Sequence, residues 1–116
     1  MPRNISYQLV IEVSQPVRCV IGRLGEVEFP AGRYLYTGSA KRGLEARIAR
    51  HTRPKQALHW HIDYLLSARG IRVVEVLRSR QGECALNRAV SGRILALGFG
   101  ASDCRAGCGA HLKYLG

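Results

Sequence analysis

Apolar residues recur at every second position near the start of the chain. Tyr7, Leu9, Ile11 and Val13 alternate with Gln8, Val10 and Glu12, and a period of two predicts a strand with one strongly apolar face. Ser14-Gln15-Pro16 reads as a turn, Val17 to Ile21 as a second strand, Gly22 to Gly25 as a hairpin bend and Glu26 to Phe29 as a short third strand. Pro30-Ala31-Gly32 interrupts the pattern, and Tyr34 to Tyr36 makes a fourth strand ended by Gly38.

The period then changes. Leu44 and Ile48, with Ala46 and Ala49 beside them, predict a helix from about residue 41 to 52. Thr52-Arg53-Pro54 ends it, because the residue before a proline avoids helical angles. Trp60, Asp63, Tyr64 and Leu65 predict a second helix, stopped by Gly70 in a left-handed cap. Ile71 to Leu77 is rich in β-branched residues and reads as a strand. Leu86, Ala89, Val90, Ile94 and Leu97 predict a helix over Glu83 to Leu97. Gly98 to Gly109 is a loop rich in glycine and cysteine, and His111 to Leu115 a closing strand. Strands come mainly first and helices flank a later strand. This order predicts an α+β fold: a small mixed or antiparallel sheet flanked by helices. The 116 residues fit one domain spanning the chain.

Charge adds a partner to this outline. Eighteen Lys and Arg face eight Asp and Glu, for a formal net charge of +10. Most of the basic residues are Arg, whose planar fork matches phosphate oxygens. A domain this basic is expected to meet a polyanion, with nucleic acid the first candidate and an acidic protein the alternative. No apolar run approaches the roughly 20 residues of a membrane span. The N-terminus Met1-Pro2-Arg3-Asn4 lacks the pattern of a signal peptide, so the expected location is the cytoplasm.

Two segments carry the chemistry. Gly38 and Ser39 leave a strand and precede a basic helix bearing Lys41, Arg42, Arg47, Arg50 and Arg53. A glycine at a strand end lets a ligand approach the backbone, and the helix start behind it favours an anion. Arg47 and His51 stand four apart and share a face with Leu44 and Ile48. Arg47 either serves a ligand there or packs its stem and finds a carboxylate. Glu83 opens the later helix. It is either a carboxylate placed at a helix start by the dipole or a ligand for Mg²⁺, which typically takes one or two carboxylates plus waters and phosphate oxygens.

Tyr36-Thr37-Gly38, then Arg47 and His51 on the next helix, then Glu83 opening a later one, resemble the GIY-YIG nuclease superfamily. The fuller set of Gly32 to Ala40, His59 to Leu66, Glu83-Cys84, and Gly98 to Cys104 with His111-Leu112 resembles its DUF123 branch of small uncharacterised proteins, sometimes fused to endonuclease III-type repair enzymes. The resemblance implies about three core strands flanked by helices and one divalent metal, Mg²⁺ or Mn²⁺, held by Glu83. Tyr7 and Tyr36 would be the two motif tyrosines, one of which helps deprotonate the attacking water. Arg47 would stabilise charge on the phosphoryl group, and His51 would assist proton transfer or touch phosphate. The function implied is metal-dependent hydrolysis of DNA phosphodiester bonds in repair or processing, with DNA favoured over RNA and a repair protein as a possible partner. The sequence departs from the superfamily pattern in three places. The first motif reads Ile5-Ser6-Tyr7 and has no glycine, residues 17 to 29 separate the two motif tyrosines, and Ser39 follows Gly38 where many relatives carry lysine. These departures bear on catalysis more than on fold, and the missing glycine and Ser39 support the alternative of a catalytically inactive nucleic-acid-binding module on the same fold.

His59 and Asp63 stand four apart and could pair as metal ligands, or His59 could line a DNA groove. Trp60 and Tyr64 are also four apart, and the structural reading is that they pack as a helix-stabilising pair. Cys104, Cys108 and His111, with Cys84 from elsewhere, make up a Cys₃His set of the kind structural Zn²⁺ uses. The alternative is buried free thiols.

Overall fold

The computed structural model describes residues 4–40, 42–53, 60–101 and 107–116. The first strand, β1, is Ser6–Val13. A hairpin follows, with β2 Val17–Val20 and β3 Glu26–Phe29 joined by a 3₁₀ turn over Gly22–Leu24. Next come β4 Gly32–Ser39, α1 Leu44–Thr52, α2 His61–Leu66, β5 Ile71–Ser79, α3 Glu83–Arg88 and β6 Leu112–Tyr114. The fold is α+β, as the order of elements predicts.

Four strands form an antiparallel sheet in the order β5-β1-β4-β6, while β2 and β3 pair with each other. The alternation in β1 explains its central place. Tyr7, Leu9, Ile11 and Val13 point to one face and are all buried. Their partners on β4 are Gly38, Tyr36, Tyr34 and Gly32, so β4 presents aromatics to that same face. Phe29 and Ile21 from the hairpin, Ile48 from α1, Ile62 and Leu65 from α2, and Phe99 complete the core. Each fully buried Leu, Ile or Phe contributes roughly 1.5–3 kcal/mol, which holds α1, α2 and the hairpin over this face.

The opposite face is polar. Ser6 and Gln8 oppose Ser39 and Thr37, with Gln8 donating to Thr37 Oγ1 at 3.2 Å and Ser6 to the Gln81 carbonyl at 2.6 Å. Lys113 opposes Leu35 and shares this face. There α3 packs: the Lys113 ammonium donates to the carbonyls of Asn87 and Val90 at 2.7 and 2.9 Å. These contacts correct the longer helix expected over Glu83 to Leu97. A cation capping the last carbonyls of a helix fixes its end, and α3 stops at Arg88. Beyond it Gly92 lies against Lys113 and Tyr114, where an added Cβ would meet atoms 3.0 Å away, and Arg93 bridges to Tyr114. Ile94 and Leu97, placed on that helix by their spacing, lie beyond it and are exposed.

The other boundaries move less. Helix α1 starts at Leu44, after Gly43 with φ +66°, and α2 starts at His61. Gly70 has the expected left-handed φ of +77°, but it lies in the turn before β5, because α2 already ends at Leu66 with Ser67 as its C-cap. No helix among the described residues is long and apolar enough to cross a membrane.

Candidate functional site

At the N-terminal end of β1 and the C-terminal end of β4 the Tyr7 ring lies over Gly38. A Cβ on Gly38 would stand 2.5 Å from the Tyr7 Cζ and Oη atoms, so a side chain there would displace the tyrosine. The Tyr7 hydroxyl hydrogen-bonds His51 Nε2 at 2.7 Å. Tyr36 packs near both, with ring centroids 6.4 Å from Tyr7 and 6.1 Å from His51. All three side chains are buried. Burial raises the pKa of Tyr7 and of Tyr36 well above the ordinary phenol value, and the nearby charge of Arg47 lowers it too little to compensate. Both are therefore neutral phenols at physiological pH, and the charge of Arg47 alone does not make either one a ready base.

Arg47 and His51 do share a face of α1, as their spacing predicts. The Arg47 guanidinium donates to the Ser39 carbonyl at 2.7 Å. The Ser39 hydroxyl donates to Glu83 Oε1 at 2.6 Å. The other carboxylate oxygen pairs with His111 Nδ1. Glu83 comes from the helix on the polar face of the sheet, whereas Tyr7 and Tyr36 lie on the apolar face. The two groups meet only at the strand end, across Gly38 and Ser39. Burial alone would raise the pKa of Glu83, but hydrogen bonds from His111 and Ser39 and the charge of Arg47 outweigh it. The carboxyl therefore titrates below its ordinary range and is ionised at neutral pH. It is a hard oxygen donor, its side chain is 26% exposed, and an ionised carboxylate has lone pairs beyond the two already engaged. These features fit a divalent cation of the Mg²⁺ type.

The basic flank of the site is partly committed. Arg50 forms a two-pronged pair with Asp63, at 2.8 and 3.0 Å, and stacks over Trp60 with its guanidinium carbon 4.4 Å from the ring centroid. Arg47 lies over the same ring at 4.9 Å. Arg42 and Arg53 are exposed just outside the two ends of α1. Lys41 and His59, both expected to contact nucleic acid, lie outside the described residues. Asp63 is fully buried and also accepts from the Trp60 backbone N–H at 2.9 Å, so it anchors both Arg50 and the start of α2; its expected pairing with His59 lies outside the described residues. Trp60 precedes α2. Its ring lies 5.6 Å from His51, while the Tyr64 ring lies against Gly22 on the hairpin turn.

A second cluster adjoins the first. One donor atom each from Cys84, Cys108 and His111 lies within 4.8 Å of the others, with Cys84 Sγ 4.0 Å from His111 Nε2. These three residues could hold a metal ion. Cys104 lies outside the described residues. Cys19, on β2 of the hairpin, is buried in the core.

Sequence reasoning missed Trp60 and Asp63 as supports of the arginines, and it missed Lys113. Nothing local to Arg50 marks its partner, because Arg50 and Asp63 are 13 residues apart and on different helices. The buried Lys113 sits in an alternating strand where it reads as solvent-facing.

A family model described as a domain of unknown function, DUF123, matches residues 6–116. No curated protein matches the chain, and no solved structure does.

Proposed function

This chain belongs to the DUF123 family, and from that premise and the site geometry we propose that it is a divalent-metal-dependent endonuclease of the GIY-YIG type that hydrolyses DNA phosphodiester bonds. One observation carries the reading: Arg47 and Glu83 meet through the two ends of Ser39, at the strand end where Tyr7 pairs with His51. Phosphodiester hydrolysis needs a proton acceptor for water, neutralised phosphate charge and a stabilised leaving oxygen. Glu83 would hold Mg²⁺ or Mn²⁺, which when bound supplies Lewis acidity and leaving-group stabilisation. The softer Cys/His cluster suits Zn²⁺ instead.

The chain's own residues divide the remaining work. Because the Tyr7 phenol is neutral, it acts as a relay: its hydroxyl takes a proton from water as it passes its own to His51 Nε2, so no tyrosinate accumulates. Arg47, held by the Ser39 carbonyl and the Trp60 ring, presents remaining N–H donors to the phosphoryl oxygens. Arg42 and Arg53 supply charge to the flanking backbone, and DNA repair or processing is the setting this chemistry suits.

Supercoiled plasmid and a panel of branched, mismatched and single-stranded DNAs and RNAs, incubated with Mg²⁺ or Mn²⁺, test the proposal. Cleavage should fall by about 100-fold or more in Arg47→Ala, the range seen when one preorganised donor is lost, and should vanish in Glu83→Ala. An intact panel refutes it. A second reading, a nucleic-acid-binding module without cleavage, is favoured by the burial of Tyr7 and His51, 2% and 3% exposed, whose hydrogen bond holds them together as a structural pair would be held. It predicts salt-sensitive binding that Glu83→Ala leaves unchanged.

A further inference from the structure

We propose that Cys84, Cys108 and His111 form a zinc site whose histidine positions Glu83. The cluster stands independently of any nuclease activity: two thiols and an imidazole lie within 4.8 Å of one another. Zinc–sulfur and zinc–nitrogen bonds of about 2.3 and 2.0–2.1 Å put tetrahedral donors roughly 3.5–3.8 Å apart. The Cys84–His111 separation of 4.0 Å is already near that value, so small side-chain movements close the site. Thiolates and a neutral imidazole select Zn²⁺ over Mg²⁺ or Ca²⁺.

The two nitrogens of His111 settle how the site connects to its surroundings. Nε2 faces Cys84, and Nδ1 faces the Glu83 carboxylate. A histidine that binds a metal through one nitrogen typically donates its other N–H to a carboxylate, which fixes the ring and its tautomer. Glu83 occupies that outer position. Its second oxygen is held by Ser39, and Ser39 in turn accepts Arg47 on its carbonyl. Zinc bound at Nε2 keeps the proton on Nδ1, and so keeps a donor aimed at Glu83. His111 is thus a positioning residue for the carboxylate. Cys84 and Glu83 are adjacent at the start of α3, so one short helix presents both a soft ligand and a hard one. The zinc site rests on the Cys/His cluster alone. Only its consequence for Glu83 touches the nuclease reading.

The test uses the full-length protein and needs no substrate. Protein purified without chelator should carry one Zn²⁺ per chain. After metal removal, Co²⁺ titration should produce a thiolate-to-cobalt band in the near ultraviolet at one equivalent. Cys84→Ser and Cys108→Ser should each lose the band, while Cys19→Ala keeps it, with circular dichroism verifying that each variant is folded. In competition with a chromophoric chelator, Glu83→Gln should weaken Zn²⁺ affinity by about 10- to 100-fold, the usual effect of losing an outer-shell partner. Failure of the wild type to bind Co²⁺ through thiolates, or an undiminished band in Cys84→Ser, overturns the site. Unchanged zinc affinity in Glu83→Gln overturns the link to the carboxylate. Zinc binding with these responses in a protein that cleaves nothing refutes the nuclease alone, so the two proposals fail separately.

Discussion

Replacing either partner of the Arg50–Asp63 pair should destabilise the protein, and unequally. The Asp63 side chain is 0% exposed, whereas that of Arg50 is 27% exposed. Arg50→Met takes the two-pronged guanidinium from a carboxylate held away from water, and breaking a buried pair in this way costs about 3–5 kcal/mol. Asp63→Asn keeps an oxygen to accept the Trp60 N–H and leaves an arginine that can hydrate and still stack on Trp60. Its cost is about 1.5–3 kcal/mol, the range for a lost hydrogen bond to a charged group. A chain of 116 residues unfolds with an entropy of about 0.24 kcal/mol/K, so 1 kcal/mol is about 4 °C in Tm. Calorimetry should therefore show a drop of about 12–20 °C for Arg50→Met and about 6–12 °C for Asp63→Asn. The double variant, which removes both charges, should melt above Arg50→Met. Should Arg50→Met prove the milder change, or the double variant lose the sum of the two, the reasoning from burial would be wrong.

The buried phenols set a second expectation. Burial raises the pKa of Tyr7, Tyr34 and Tyr36 in the folded state, so the folded protein holds protons that the unfolded chain releases near pH ~10. Their stabilisation is complete below that pH and is lost as pH rises above it towards the folded values, by about 1.4 kcal/mol per pH unit for each tyrosine. Urea denaturation across about pH 8–11 should show this loss, with a shallower fall in Tyr7→Phe. Native-state absorbance titration of all five tyrosines near pH ~10 would contradict it. Gly38→Ala should cost about 1–3 kcal/mol, as overpacking does, because its Cβ would enter the space of the Tyr7 hydroxyl. The same variant should lose the Tyr7–His51 hydrogen bond, visible as a shift of the His51 ring signals in NMR.

Local periodicity carried most of the architecture. The alternation in β1 is visible because one face is core and the other polar, and α1 is visible because Leu44, Ile48 and His51 repeat at helical spacing. The end of α3 was illegible for a physical reason. Val90, Ile94 and Leu97 keep the helical period, but a lysine more than twenty residues downstream takes carbonyls at and just past the helix end. Candidate site residues were legible as types and spacings. Their environment was not: neither the burial of the Tyr7 hydroxyl nor the junction at Ser39 follows from any local pattern. The Cys/His set was readable as a donor inventory, while the approach of Cys84 to His111 required the packing of α3 beneath the sheet.

The outermost strand β5 has a consequence for the protein in concentrated solution. It is nine residues long and pairs only with β1 among the described residues, so its far side offers unpaired backbone groups that another chain could extend. Val74 and Leu77 on it are exposed and would favour such growth. Arg72, Glu75 and Arg78 interrupt them, with Arg80 just past the end. Charges spaced along a sheet edge act as gatekeepers against edge-to-edge stacking. The charged residues along β5 therefore set this edge against templating a second copy of the chain.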